Sequence, residues 1–280
     1  MMVLRPFGDV SLSPLMESVE ELVKSDGWHR RLGKGARRLG GMLLDLAYPP
    51  VCLKCEVPTA TPDALCPNCF AALRPITAPL CPRLGLPFEV AIGPDAVSAE
   101  ALADPPPFGR ARAALVYDEV ARTIVSRLKY GDRPELARFC ARLMAGAGHE
   151  LWEGAPLLVP VPLHPARQRE RRYNQSGELA LALGRLIGLA VDPDLVRRTR
   201  QTRQQVGLSG DGRERNVAGA FAVHPDILLR AKGRRVVLVD DVYTTGATTK
   251  AVTRTLLKAG IEAVDVVTFA RVVIGADLPI

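Results

Sequence analysis

The sequence predicts a small four-cysteine module followed by an α/β domain, built on a parallel sheet with helices on both faces. The module is indicated by two Cys-x-x-Cys pairs that lie within residues 52–69. The α/β domain is indicated from residue 110 onward, where short apolar runs alternate with stretches of helical periodicity. Ligands of such sheets bind beyond the carboxyl ends of the strands. We therefore look for a functional site at those strand ends.

The chain divides into three predicted segments. They are a basic helical segment over 1–47, a zinc-ribbon-like module over 48–108 and the α/β domain over 109–280. The last boundary follows the run Asp104-Pro-Pro-Pro-Phe108, because proline can continue neither a helix nor a central strand. In the first segment, the basic stretch 24–38 is typical of a solvated amphipathic helix or of a nucleic-acid-binding arm, and the sequence leaves both open.

The two cysteine pairs are predicted to bind zinc. The expected ligands are Cys52, Cys55, Cys66 and Cys69. Each knuckle turns tightly enough to present two thiolates on one side, as a tetrahedral ion requires, whereas a redox dithiol is the alternative. Cys81 begins a third knuckle whose second position is Leu84, so we expect Cys81 to be unliganded. Cys140 lies in a helical stretch and is expected to be a small core residue.

The periodicity of the α/β domain assigns its strands and helices. Strands are predicted over 113–117, 157–161, 236–239 and 263–269. Helices are predicted over 119–130, 134–147, 174–187 and 247–258. A strand followed by a helix and a further strand in the same sheet produces parallel pairing, which is the basis of the predicted fold class.

A polar segment, residues 240–249, follows the most apolar strand with the sequence Asp-Asp-Val-Tyr-Thr-Thr-Gly-Ala-Thr-Thr. Its turn offers backbone N–H groups, hydroxyls and the positive end of a helix dipole to a phosphate, and Gly246 allows close approach. Asp240 and Asp241 would repel the phosphate itself, so we assign them to sugar hydroxyls or a metal ion. Together these features predict a site for a phosphorylated ribose. Helix capping alone would need only one carboxylate.

The cation composition is unusual, with 30 Arg against 7 Lys and a net charge of +7. Guanidinium groups suit phosphate recognition, whereas a GC-rich coding sequence would produce the same excess without function. Sixteen of the 30 arginines lie between residues 167 and 271, in the half of the chain that holds the predicted phosphate loop. Aromatic residues make up only 5% of the chain, which disfavours a surface built to stack single-stranded bases.

The sequence carries no readable secretory signal, and no apolar run approaches the roughly 18 residues of a spanning helix. We therefore expect a cytoplasmic protein without membrane insertion. In a reducing compartment its six cysteines would not form a disulfide framework.

Several segments resemble known families. The segment Val237–Thr248 resembles the phosphoribosyl-pyrophosphate (PRPP) signature of type I phosphoribosyltransferases. Residues 158–175 and 198–221 resemble segments of the ComF family of competence-related proteins, the second also being shared loosely with amidophosphoribosyltransferases. The cysteine knuckles and the stretch Leu128-Lys129-Tyr130-Gly131 are similar to that family too. The resemblance covers residues from about 40 to 271 and implies a type I phosphoribosyltransferase-like fold.

The resemblance implies roles for individual residues. Asp240 and Asp241 would be the catalytic pair that holds the ribose 2′ and 3′ hydroxyls. The implied 5′-phosphate cradle is Thr244, Thr245, Gly246, Ala247 and Thr248. The loop of Leu163 and His164 would face the pyrophosphate together with Mg²⁺. Further anion contacts are expected from Arg171, Arg172 and Arg203, although surface exposure alone would explain these arginines equally well.

The resemblance also implies a function. The protein would bind PRPP and act in natural competence, handling incoming single-stranded DNA together with competence or recombination proteins. The alternative is a Mg²⁺-dependent phosphoribosyltransferase with an unknown amine or base acceptor, and the sequence leaves open whether the protein turns over. Thr244 stands where the 6-oxopurine transferases have an aspartate, which disfavours that substrate class. Zinc would be structural.

Overall fold

The computed structural model describes residues 49–93, 96–130, 134–163, 173–200, 217 and 219–273. The chain divides into two compact units, Met1–Pro50 and Val51–Ile280. The basic stretch 24–38 lies outside the described residues. The helices and strands that the structure describes belong to the second unit.

The helices and strands have the following bounds. The helices are α1 Pro67–Ala71, α2 Ala99–Ala103, α3 Glu119–Tyr130, α4 Pro134–Ala147, α5 Gln175–Ile187, α6 Pro225–Ala231 and α7 Ala247–Lys258. The strands are β1 Ala111–Val116, β2 Leu157–Pro160, β3 Val196–Arg198, β4 Phe221–Val223, β5 Arg235–Tyr243 and β6 Ala263–Arg271. The four strands and four helices predicted from periodicity are confirmed. The short helices α1, α2 and α6 and the strands β3 and β4 were not predicted. Among the described helices, none is long and apolar enough to cross a membrane.

The main sheet has four parallel strands in the order β1-β6-β5-β2. Strands β3 and β4 form a separate two-stranded antiparallel sheet. The centre of β5 is buried on both faces, as its run of valine and leucine requires. Val237 and Val239 belong to one apolar cluster, whereas Val236 and Leu238 belong to the other. The sheet therefore separates two cores.

Each core is closed by different elements. The cluster that contains Val237 also holds buried residues of α3, α4 and α5. The cluster that contains Leu238 holds residues of α7 and of the small β3–β4 sheet. The prediction of a parallel sheet with helices on both faces is thus confirmed.

Strand β5 is longer than predicted and includes Asp240 and Asp241 instead of ending before them. Its neighbour β6 stays paired with it as far as Tyr243, whereas β2 ends where Pro160 pairs with Val239. Pairing with β6 alone is enough to keep the last four residues extended. The two carboxylates consequently stand on a strand that has no partner strand on its β2 side.

The cysteine-rich residues wrap around the outer edge of the sheet. Residues 74–76 run antiparallel to β1, with hydrogen bonds from Ile76 N to Ala114 O (3.0 Å) and from Val116 N to Arg74 O (2.9 Å). The knuckles before this crossing pack into the α3–α5 core, and the residues after it pack into the α7 core. An otherwise open sheet edge is thereby covered.

Candidate functional site

The paired carboxylates at the end of β5 are held by hydrogen bonds. Ser176, in the first turn of α5, donates its hydroxyl to Asp240 Oδ1 at 2.8 Å. The backbone N–H of Asp241 donates to the same oxygen at 2.9 Å. These two donors fix the orientation of the Asp240 side chain.

A cation lies against the other carboxylate. Lys129 Nζ in α3 is 2.8 Å from Asp241 Oδ2, and both side chains are largely buried. Burial disfavours the charge on Lys129, but the Asp241 carboxylate and then Asp240 more than offset this and raise the Lys129 pKa. Burial, followed by the charge of Asp241, raises the pKa of Asp240 to about 7. The site therefore lies close to a protonation change at neutral pH.

The turn after β5 depends on a glycine. Gly246 has φ 73°, and a Cβ at this position would lie 2.1 Å from the Tyr243 hydroxyl. Gly246 is also the N-cap of α7 and, as a glycine, provides no capping side chain. The positive end of the α7 dipole lies at this turn, as an anion site at a helix N-terminus requires.

Hydroxyl groups lie around the same turn. Thr244, Thr245 and Thr248 are partly exposed, whereas Thr249 is buried and donates to Gly246 O at 2.9 Å. Within the described part of the chain, the buried Oγ1 of Thr245 has no hydrogen-bond partner. Such a group costs free energy unless a ligand or water satisfies it.

Tyr243, the last residue of β5 before the turn, packs against Phe108 and the buried Arg271. The Tyr243 ring meets Phe108 edge to face with 6.3 Å between centroids, and the guanidinium of Arg271 lies 4.9 Å from the Tyr243 centroid. Arg271 is 1% exposed and donates to Leu84 O. The position of the turn is therefore set by β6 and by the cysteine-rich residues as well as by β5.

The end of β2 approaches the acidic pair from the side. Val161 N donates to Val239 O at 2.9 Å, next to Asp240 in sequence, and Leu163 follows two residues later. Asn174, the N-cap of α5, donates to Val161 O at 3.2 Å. The predicted contacts His164, Arg171, Arg172 and Arg203 lie outside the described residues.

The four cysteines of the two pairs form one cluster. The sulfurs of Cys52, Cys55, Cys66 and Cys69 all lie within 4.8 Å of one another. Cys55 Sγ is 3.6 Å from Cys66 Sγ. Sulfurs bound tetrahedrally at about 2.3 Å from zinc would be about 3.8 Å apart. The donor set and its spacing fit a structural zinc ion.

The protonation of these thiols also fits a cation. Burial opposes ionisation of Cys52, but backbone N–H donors, Cys66 N at 3.2 Å among them, lower its pKa to about 6. Burial and hydrogen bonds to the other thiols raise the pKa of Cys69 to about 12. A thiolate at Cys52 therefore opposes ionisation of Cys69 unless a cation such as zinc neutralises both.

Two family models match separate parts of the chain. Residues 43–101 match the double zinc ribbon domain. Residues 195–278 match the phosphoribosyl transferase domain. The first range contains the cysteine cluster, and the second contains the acidic pair and the Gly246 turn.

Curated relatives span both parts. The chain is 34% identical over 230 residues to the DNA utilization protein YhgH of Salmonella typhi. This alignment covers 79% of the chain and 96% of YhgH. The chain is also 34% identical over 165 residues to competence protein F of Haemophilus influenzae (55% and 69% covered) and 27% identical over 201 residues to competence protein ComFC of Bacillus subtilis (71% and 80%). The chain belongs to the ComF family. The family resemblance predicted from the sequence is confirmed.

Solved structures similar to this ComF-family chain include an adenine phosphoribosyltransferase from Thermoanaerobacter pseudethanolicus. The matched region covers 54% of this chain and 85% of the adenine phosphoribosyltransferase chain, with 16% identity and a TM-score of 0.32. The allosteric regulatory enzyme of purine biosynthesis covers 51% of this chain and 29% of that one, with 20% identity and a TM-score of 0.34.

Sequence reasoning missed part of the site of this ComF-family protein. The sequence places Lys129 in a family-like stretch but predicts no role for Lys129, Ser176 or Arg271. Lys129 and Ser176 belong to helices, and their proximity to Asp240 follows from how α3 and α5 pack on the sheet. Cys140 is fully buried in the core, as expected.

Proposed function

We propose that this ComF-family chain binds PRPP with Mg²⁺ at the carboxyl end of β5. The observation that supports this most is the combination of Asp240 and Asp241 with the N-terminus of α7, whose N-cap Gly246 lies three residues beyond the strand. Carboxylates suit hydroxyl groups and cations, and a helix N-terminus suits a phosphate. A phosphorylated sugar presents both hydroxyl groups and a phosphate.

In this proposal each part of the site has one task. The two carboxylates accept hydrogen bonds from the ribose 2′ and 3′ hydroxyls, with Asp240 oriented by Ser176. The 5′-phosphate accepts from the backbone N–H groups and hydroxyls of residues 244–248. Carboxylate oxygens are ligands that Mg²⁺ accepts, and the ion, when bound, would neutralise the pyrophosphate.

Lys129 would act as a built-in counter-ion. Without ligand, its ammonium pairs with Asp241 across 2.8 Å and so lowers the cost of burying that carboxylate. A bound ligand offers anionic oxygens to the same ammonium. We propose that Lys129 then shares its charge between Asp241 and the pyrophosphate.

Isothermal titration with PRPP and Mg²⁺ tests the proposal. Wild type is expected to bind, and the double variant Asp240→Asn, Asp241→Asn is expected to lose binding while remaining folded. A matched control replaces two exposed aspartates, Asp194→Asn with Asp226→Asn, and should bind as wild type does. No binding by wild type would overturn the proposal, and unchanged affinity of the first variant would show that the site is misplaced.

A second candidate function is the handling of single-stranded DNA during uptake. It is favoured by the names of the relatives, two of which are competence proteins and one a DNA utilization protein. The arginine excess supports it, since guanidinium groups contact phosphates. If this proposal is right, affinity for single-stranded DNA falls steeply as the salt concentration rises. Protein binding releases counterions condensed on the DNA, and added salt opposes that release. Affinity that does not change with salt would refute phosphate contacts.

Catalytic turnover is the alternative to binding alone. A phosphoribosyltransferase releases pyrophosphate from PRPP when an acceptor is present. Measurement of pyrophosphate release with PRPP, Mg²⁺ and a panel of amines and bases separates the two, provided that binding has been shown first. Release that depends on both the acceptor and Asp241 would establish an enzyme.

A further inference from the structure

The backbone of the cysteine-rich residues repeats itself. Residues 80–87 repeat the turn of residues 51–58, each closed by a bridge between its first and last residue. In both turns the N–H of the second residue, Cys52 or Cys81, donates over 2.8 Å to the carbonyl five residues later. The residue four positions after this cysteine has a positive φ in both turns, 64° and 60°. The two turns therefore share one conformation.

The segments around α1 and α2 also match each other in their hydrogen bonds. Both α1 and α2 follow an N-cap whose side chain accepts the N–H of the third residue after it, at 3.5 Å for Cys66 and 3.4 Å for Ser98. The backbone N–H of each cap also donates to the first sulfur of its own repeat, at 3.2 Å and 3.4 Å respectively. Residues 80–93 and 96–103 thus form a second ribbon.

The repeat equates the ligand positions of the two ribbons one by one. Cys52, Cys55, Cys66 and Cys69 correspond to Cys81, Leu84, Ser98 and Ala101. We infer that the second ribbon is a zinc centre converted into a metal-independent core, so that the chain binds one zinc ion. Leu84 and Ala101 offer no ligand atom and are 2% and 4% exposed. Two of the four donors that tetrahedral zinc requires are therefore missing.

Cys81 and Ser98, the two remaining polar residues at the ligand positions, have hydrogen-bond partners without a metal ion. Cys81 Sγ accepts from the Ser98 hydroxyl at 3.3 Å, from Ser98 N at 3.4 Å and from Leu84 N at 3.5 Å. Leu84 and Ala101 join the apolar cluster that also contains Phe108. Hydrogen bonds and buried apolar surface hold the second ribbon where four thiolate–metal bonds hold the first.

The metal-independent ribbon is the one that supports the candidate phosphate turn. Arg271, stacked on Tyr243, donates to Leu84 O and lies 3.9 Å from Glu100 in α2. Lys250, in the first turn of α7, pairs with Asp104 at the end of α2. The geometry of the turn therefore does not depend directly on metal occupancy in the second ribbon.

Metal analysis of purified full-length protein in reducing buffer tests the inference. Wild type should contain one zinc per chain, Cys81→Ala should also contain one, and Cys52→Ala should contain none. Two zinc ions in wild type, or a lost ion in Cys81→Ala, would overturn the inference. Cobalt substitution gives a second readout, because thiolate-to-cobalt absorption should show one site in wild type.

A restoring variant tests the equivalence of the positions. The triple change Leu84→Cys, Ser98→Cys, Ala101→Cys completes a four-cysteine set with Cys81 and should raise the zinc and cobalt content to two per chain. A folded triple variant that still binds one ion would contradict the assigned positions. If the triple variant does not fold, the zinc content of wild type and of Cys81→Ala still decides the inference.

Discussion

Asp240 is a single residue whose ionisation conflicts with its surroundings. Burial and the neighbouring Asp241 both oppose its charge and raise its pKa to about 7. A carboxyl whose pKa is higher in the folded than in the unfolded state binds its proton more tightly when folded, so stability falls as pH rises between the two values. Perturbed pKa values of this kind are typical of functional sites.

We therefore predict that Asp240→Asn becomes more stable relative to wild type as pH rises. One pKa unit corresponds to about 1.4 kcal/mol, so we expect a relative gain of about 1–3 kcal/mol between pH 5 and pH 8. The amide keeps an oxygen that can accept from Ser176. Urea unfolding of both proteins at the two pH values measures the gain. A constant difference would mean that Asp240 is not held in this environment.

Lys129 gives a second prediction at the scale of single residues. Lys129→Met keeps the apolar stem but leaves Asp241 without its cation, and we expect a loss of about 1–3 kcal/mol in the free energy of unfolding at pH 8. Lys54→Met, whose partner Glu119 is 74% exposed, is the matched control and should change stability little. Equal effects of the two changes would argue against a special role for Lys129.

At the scale of elements, the existence of a strand–turn–helix junction between β5 and α7 was predictable from the sequence. The residue at which β5 ends was not. The apolar run of β5, Gly246 and the periodicity of α7 are visible in the sequence. The extension of β5 through Asp241 follows from the relative lengths of β2 and β6, which depends on tertiary pairing. The same holds for the α5 residue Ser176, whose distance to Asp240 no local pattern encodes.

The junction predicts different costs for two glycines of equal conformation. Gly246 and Gly233 both have φ 73°, but a Cβ at Gly233 would meet nothing within 4 Å. Gly233→Ala should therefore cost about 1–2 kcal/mol from backbone strain alone. Gly246→Ala should cost more, since its Cβ meets the Tyr243 hydroxyl, and should also weaken PRPP binding. Thermal unfolding and titration compare the two, and equal destabilisation would contradict the close contact.

At the scale of the whole molecule, the two ribbons lie on opposite faces of the sheet and share its cores. Cys52, Cys66 and Cys69 belong to the same cluster as α3 and α4, and Arg138 forms an ion pair with Asp63 of the first ribbon at 2.7 Å. The cysteine pairs predicted the zinc site from the sequence. Their packing against the α/β domain could not be predicted, because no local pattern encodes contacts between distant segments.

Zinc removal should consequently affect more than the first ribbon. Because thiolate–metal bonds hold residues that belong to the α3–α4 core, we predict that Cys66→Ser lowers the melting temperature of the whole unit in one transition. Cys140→Ser is the control, because Cys140 is buried in the same apolar core but is not one of the four candidate zinc ligands, and it should retain zinc. Calorimetry with parallel zinc analysis measures both. A separate low-temperature transition in Cys66→Ser, with the main one unchanged, would show that the ribbon unfolds independently.

The strand order also has a consequence for synthesis on the ribosome. Among the described strands, β6 is the last to be translated, yet it lies between β1 and β5. Until residue 271 has emerged, β1 has no partner in the main sheet, and the antiparallel contact with residues 74–76, translated earlier, is available to protect one of its sides. A nascent chain that stalls before β6 would expose the other side of β1 and one side of β5. Such truncated chains are expected to aggregate or be degraded, whereas the completed strand closes both gaps at once.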